Sequence, residues 1–181
     1  MKRIVLVLGV LAVSTSAFAQ TPEESIERAL AAAPRQMKEG ATVIKWKADN
    51  TYDTLRKGTN KLVCYDRSGD PGQQPFSVQC TSLANLDRVA QNRKLEAIAD
   101  KAAKQAAIDA AEKDGTRVKP EFGSVWYHLQ GPDKDHARTH MTVAVPGATQ
   151  ATMGLPENGR GGGVWIMNAG TTTAHLMVPG E

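Results

Sequence analysis

Residues 83–113 run for 31 positions without a glycine or a proline, and no other stretch constrains the fold as strongly. The segment is rich in Ala, Lys, Glu, Gln and Leu, the residues that lose least on entering a helix. Thr81 or Ser82 stands where an N-cap belongs and Gly115 where a C-terminal cap belongs, so the spacing predicts one long helix. Leu95, Ile98, Ala99, Ala102 and Ala106 recur at helical intervals. That stripe is mostly alanine, which suits close packing against a flat surface such as a sheet. Arg93, Lys94, Glu96, Lys101, Lys104 and Glu112 fall on the other side and read as a solvated face.

On either side of this segment the apolar runs are short and cut by Gly, Pro, Asn and Asp, which is strand-and-turn punctuation. Before it lie 41–48, 52–55, 61–65 and 76–80, with residues 56–60 expected to turn between two antiparallel strands. After it lie 125–129, 140–145, 163–167 and 174–178. Two connections are too short for a crossover helix, which favours antiparallel pairing. A first helix is predicted over 22–33, with Thr21 as its cap, Pro22 at its first position and Glu23 and Glu24 at the positive end of its dipole. The predicted class is α+β: an antiparallel sheet with a short N-terminal helix and one long Ala-rich helix inserted between the two halves of the sheet.

Residues 1–19 have the three parts of a cleaved secretory signal. Lys2 and Arg3 are followed by the apolar run Ile4–Val13 and the small-x-small site Ala17-Phe18-Ala19. The run is about half the length of a membrane span, and no later stretch is long and apolar enough to be one. Export to the periplasm or the medium is therefore expected, with residues 20–181 as a single domain. Losing Lys2 and Arg3 leaves 20 basic against 19 acidic residues, and so near-neutral a domain lacks the electrostatic footprint of a nucleic-acid or lipid binder. Cys64 and Cys80 are the only cysteines. An even count in an exported chain predicts a disulfide, clamping the Gly- and Pro-rich loop between them.

The four histidines, His128, His136, His140 and His175, all lie in the C-terminal half. His136 and His140 have helical i, i+4 spacing, but their surroundings read as loop and strand, and the glutamate of a zinc-binding helix motif is missing. His140 and His175 each stand beside an apolar run. If their strands are neighbours, the imidazoles meet at one edge of the sheet. With Asp133 or Asp135 they would suit a divalent metal, or one would serve as a general base. The competing reading of each is a partly buried residue bonded to backbone. Gly159–Gly163 lacks the strand-before, helix-after context of a phosphate loop, and no nucleophile elbow is present.

Several segments read together carry a resemblance: Thr54-Leu55-Arg56-Lys57-Gly58-Thr59-Asn60 leading to Cys64, Cys80 ahead of a helix, Trp126-Tyr127-His128-Leu129-Gln130-Gly131, and Ala169-Gly170-Thr171 through His175-Leu176-Met177-Val178-Pro179. Across residues 42–179 the chain resembles an uncharacterised family of exported bacterial proteins. The resemblance implies that His140 and His175 occupy recurrent positions, and it implies no activity. The chain departs from that family after Gln130, where an Asn/Ser/Asp-rich loop is missing, and in its longer Ala-rich helix.

Three functions follow as expectations. The first is a small-ligand- or protein-binding module of the bacterial envelope. The second is a metal-dependent or His-based hydrolase with its site near His140 and His175. The third is an envelope-interaction module using an exposed alanine stripe on 95–106.

Overall fold

The computed structural model describes residues 20–178; the predicted signal at 1–19 lies outside them. Helix α1 spans Pro22–Ala29 and runs on into a 3-10 turn at Leu30–Ala32. Thr21 caps it as predicted, and Glu24 closes a capping box: the Thr21 hydroxyl accepts from the Glu24 amide, and the Glu24 carboxylate accepts from the Thr21 amide. Eight strands follow: β1 Thr42–Trp46, β2 Tyr52–Arg56, β3 Leu62–Asp66, β4 Phe76–Ser82, β5 Val125–Gly131, β6 Arg138–Ala144, β7 Trp165–Met167 and β8 His175–Met177. They form one sheet in the order β2-β1-β3-β4-β5-β6-β8-β7.

The α+β class holds, with two corrections. The sheet is mixed, because β1 and β3 run parallel while the other neighbours are antiparallel. Strands β2 and β3 do not pair: β1 lies between them, so residues 57–61 carry the chain over the start of β1 rather than around a hairpin. The TLR-x-GTN segment builds this crossing. Arg56 donates to the carbonyls of Lys38 and Ala41, and the Asn60 amide donates to the Met37 carbonyl. The Gly58 amide donates to the Thr42 hydroxyl, and a Cβ on Gly58 would collide with the backbone of Gly40, Ala41 and Thr42. Only glycine permits so close a crossing.

The second correction concerns the long helix. Residues 83–113 form a 3-10 turn at Leu83–Asn85, then α2 at Leu86–Glu96 and α3 at Lys101–Lys113. The break has a local cause: Asp100 is extended, and its carboxylate caps the Ala103 amide, 2.7 Å away. An aspartate bonded in this way favours a new N-terminus over a helix interior. The break also splits the expected stripe. Ala99, Ala102 and Ala106 are exposed, Leu95 and Ile98 are half-buried, and α3 buries no residue. The insertion is closed at its base by Asn85, which is fully buried. Its amide donates to the hydroxyls of Thr81 and Ser124, and its carbonyl oxygen accepts from the Glu121 amide.

Strand alternation gives the sheet two unlike faces. On β4, Phe76, Val78 and Cys80 alternate with Ser77, Gln79 and Thr81. The apolar set faces α1, where Ala29, Leu30, Ala41, Val43 and Leu62 pack around the Cys64–Cys80 disulfide. The two cysteines are directly opposed residues of β3 and β4. On the other face Ile44, Val63 and Tyr65 pack against Val89, Leu86, Trp46 and Trp126. Helix α2 therefore covers a face that is apolar at one end and polar toward β5 and β6.

Candidate functional site

The polar part of that face follows from register. Tyr65, Gln79, His128 and His140 are successive partners across β3, β4, β5 and β6. They form one row of side chains on a single face. The Tyr65 hydroxyl donates to the Gln79 side-chain oxygen, 2.9 Å away. That orients the Gln79 amide nitrogen toward the His128 ring, where it lies 3.3 Å from both ring nitrogens. The next ring, His140, has its centroid 5.9 Å from that of His128.

Above this row α2 presents Arg88, Asn92 and Glu96, spaced i, i+4 and i+8 on one side of the helix. Between helix and sheet lies a cavity of about 370 Å³. Arg67, Gln79, His128, His140 and Thr142 line it together with the three α2 residues, Trp126 and His175. Pro120, Ala144 and Ala174 complete an apolar strip, and the exposed Gln130 stands at the rim.

Three of the four sequence-selected histidines therefore share one cavity, but not in the expected arrangement. Strands β6 and β8 are neighbours, yet the residue opposite His175 is Ala144, four positions along β6 from His140. At the strand rise of about 3.3 Å per residue, that offset is roughly 13 Å of backbone. His140 meets His128 instead, a pairing that only long-range register determines. His175 donates from Nδ1 to the Thr173 carbonyl, 2.8 Å away, so the neutral ring carries its lone pair on Nε2. His136 stays apart, exposed on the β5–β6 loop and bonded to Asp133 at 2.8 Å. Bonds from the His136 backbone and ring hold the Asp133 carboxyl below its ordinary range. Asp135 is exposed on the same loop. Among the described residues, no three His, Cys, Asp or Glu side chains converge as a metal-holding group, so neither aspartate joins the cavity histidines as a ligand set.

Sequence reading missed the charged wall. Arg93 and Glu96, expected on a solvated face, belong to a network centred on Arg67, whose residue exposure is 6%. Arg67 donates to Asp70 and to Glu96, and Arg93 pairs with Asp70. Arg88 is 3% exposed and donates to the Val118 carbonyl and to the hydroxyls of Thr172 and Thr173. The Thr172 hydroxyl in turn donates to Glu112 of α3. Burial, with Arg117 nearby, lowers the Arg88 guanidinium to about 10, still cationic at neutral pH. The available signals were the polar alternation of β4 and the i, i+4, i+8 polar stripe on α2.

Burial also pushes the His128 imidazole down to about 4 from an ordinary 6.5, with His140, Arg67 and His175 adding in that order. A neutral ring is what accepts a bond from Gln79. The folded state resists a proton that the unfolded chain takes up below pH 6.5. The resulting stability is therefore complete above that pH and is lost as pH falls toward 4. The linkage predicts a loss of about 2 kcal/mol from this residue between pH 8 and pH 5. Urea unfolding of wild type and His128→Gln at both pH values isolates it: the wild type should fall further by about that amount. Parallel declines in the two proteins would rule the effect out.

No family model, curated protein or solved structure matches the chain.

Proposed function

We propose that this chain is an exported domain that binds a small polar molecule in the cavity between α2 and the sheet. The observation that carries the reading is the composition of that cavity. A void of about 370 Å³ left by poor packing would be walled by aliphatic side chains. This one gathers two arginines, a glutamate, three histidines and several amides from α2, four strands and the β3–β4 loop. Its volume falls at the lower end of ligand sites, which span about 300–1,000 Å³ and combine an apolar wall with a few placed polar groups. The buried Cys64–Cys80 disulfide agrees with an oxidising compartment.

Thermal unfolding in the presence of a panel of amino acids, sugars, amides and organic acids tests the reading. Gln130→Trp is the matching variant, because Gln130 is exposed at the rim and its replacement obstructs the cavity without touching the core. A compound should raise the wild-type midpoint and leave the variant unmoved. Equal stabilisation of both proteins, or none by any compound, would sink the idea.

A second reading rests on His175. With Nδ1 held by the Thr173 carbonyl, Nε2 is set as a general base that could activate water on a bound ester or amide. Hydrolysis of a nitrophenyl ester that His175→Gln abolishes would favour it over simple binding.

A further inference from the structure

We propose that the ligand of this cavity is a small organic carboxylate, its charge held by the Arg88 guanidinium and its apolar body laid against Trp126. The inference rests on the binding reading above and names the class of molecule bound. Arg88 is buried but takes part in no ion pair among the described residues. Its three bonds all go to neutral oxygens and use three of its five N–H groups. The Nε–H and one Nη2–H have no partner among the described residues. An Nε–H and an Nη2–H along one edge of a guanidinium match the two oxygens of a carboxylate.

The surrounding charges leave Arg88 in surplus. Arg67 and Arg93 are balanced by Asp70 and Glu96. Glu112 reaches Arg88 only through threonine hydroxyls, and Arg117 stands close enough to offset it. One positive charge remains, which suits a monoanion; a dianion would bury a net negative charge.

Two further lining groups present donors as well, while the Glu96 carboxylate is taken up by Arg67. The Asn92 side-chain oxygen already accepts from Arg117 at 2.6 Å, which leaves its NH2 for a ligand. The Gln73 oxygen likewise accepts from the Ser77 hydroxyl at 3.1 Å. Pro120, Trp126, Ala144 and Ala174 add apolar surface to the lining, which an organic body can cover and an inorganic ion cannot use. The cavity is also about ten times the roughly 30 Å³ that one water occupies in the liquid.

Calorimetric titration decides between the possibilities. The probes are benzoate and butanoate, their neutral isosteres benzamide and butanamide, and inorganic phosphate. At least one carboxylate should bind tenfold or more tighter than its amide and than phosphate. Arg88→Lys keeps the charge but loses the fork, and should weaken that carboxylate at least tenfold with an unchanged near-ultraviolet circular dichroism spectrum. Amides binding as well as carboxylates, phosphate binding best, or full affinity in Arg88→Lys would each overturn the proposal. Should the variant not fold, the carboxylate–amide comparison on wild type still decides. Stabilisation by neutral compounds alone in the thermal panel would defeat this inference and leave the binding reading standing; silence across the whole panel would defeat both.

Discussion

Arg67→Met is expected to destabilise the fold by about 3–5 kcal/mol, the range for removing one partner of a buried ion pair. Methionine fills a similar volume, so the loss comes from charge rather than from a cavity. In the native network two guanidinium groups, Arg67 and Arg93, meet two carboxylates, Asp70 and Glu96. Asp70 and Arg93 are each 13% exposed at the side chain. Without Arg67 two carboxylates share one cation in a region that solvent reaches poorly. The Glu96 side chain is 31% exposed, and its access to water places the effect toward the lower end. For a domain of this size 1 kcal/mol corresponds to about 2–4 °C, so 3 kcal/mol lowers the melting midpoint by roughly 6–12 °C. The same ion pairs tie the β3–β4 loop to α2, so the charged wall of the cavity should loosen along with the stability. Adding Glu96→Gln should recover part of the loss, because it removes the charge that Arg67 neutralised. A loss under about 1 kcal/mol in urea unfolding would mean that these groups behave as a solvent-screened surface set.

Cys64→Ala/Cys80→Ala should cost about 3 kcal/mol. The bridge closes a loop of 16 residues' separation, and the chain-entropy account assigns about that value to it. Both residues are fully buried under α1, so small voids add to the entropic loss. Their burial has a kinetic consequence too. Dithiothreitol without denaturant should leave the bond intact, and reduction should begin only as urea opens the β3–β4 region. Mass spectrometry after thiol alkylation reads this directly. Rapid reduction of the native protein, or a double variant as stable as wild type, would contradict the account.

The elements legible from sequence are those whose cause is local. The α1 capping box needs only Thr21 and Glu24, three residues apart. The apolar–polar alternation of β4 sorts its own side chains onto two faces. The disulfide needed only an even cysteine count and an intervening loop. The break at Ala97–Asp100 is a local event that propensity obscures: each residue there is acceptable in a helix, and Asp100 becomes a cap only because its carboxylate turns to the Ala103 amide.

The candidate site was legible only in fragments. His128, His140 and His175 stood out as residue types, but which of them meet depends on how β5, β6 and β8 are aligned. Arg67, Arg88 and Gln79 looked like ordinary loop, helix and strand residues, because nothing near them in the chain reveals burial. The same holds for the skip of β3 past β1, which turns an expected hairpin into a parallel pair. Side-chain periodicity along a segment repeats every two or 3.6 residues and so settles the type of element and its inward face. Strand order, register and the polar contacts around the cavity join residues up to 85 positions apart, as Arg88 and Thr173 are. Those contacts arise only when the two faces of the sheet are covered together, so the tertiary structure alone decides them.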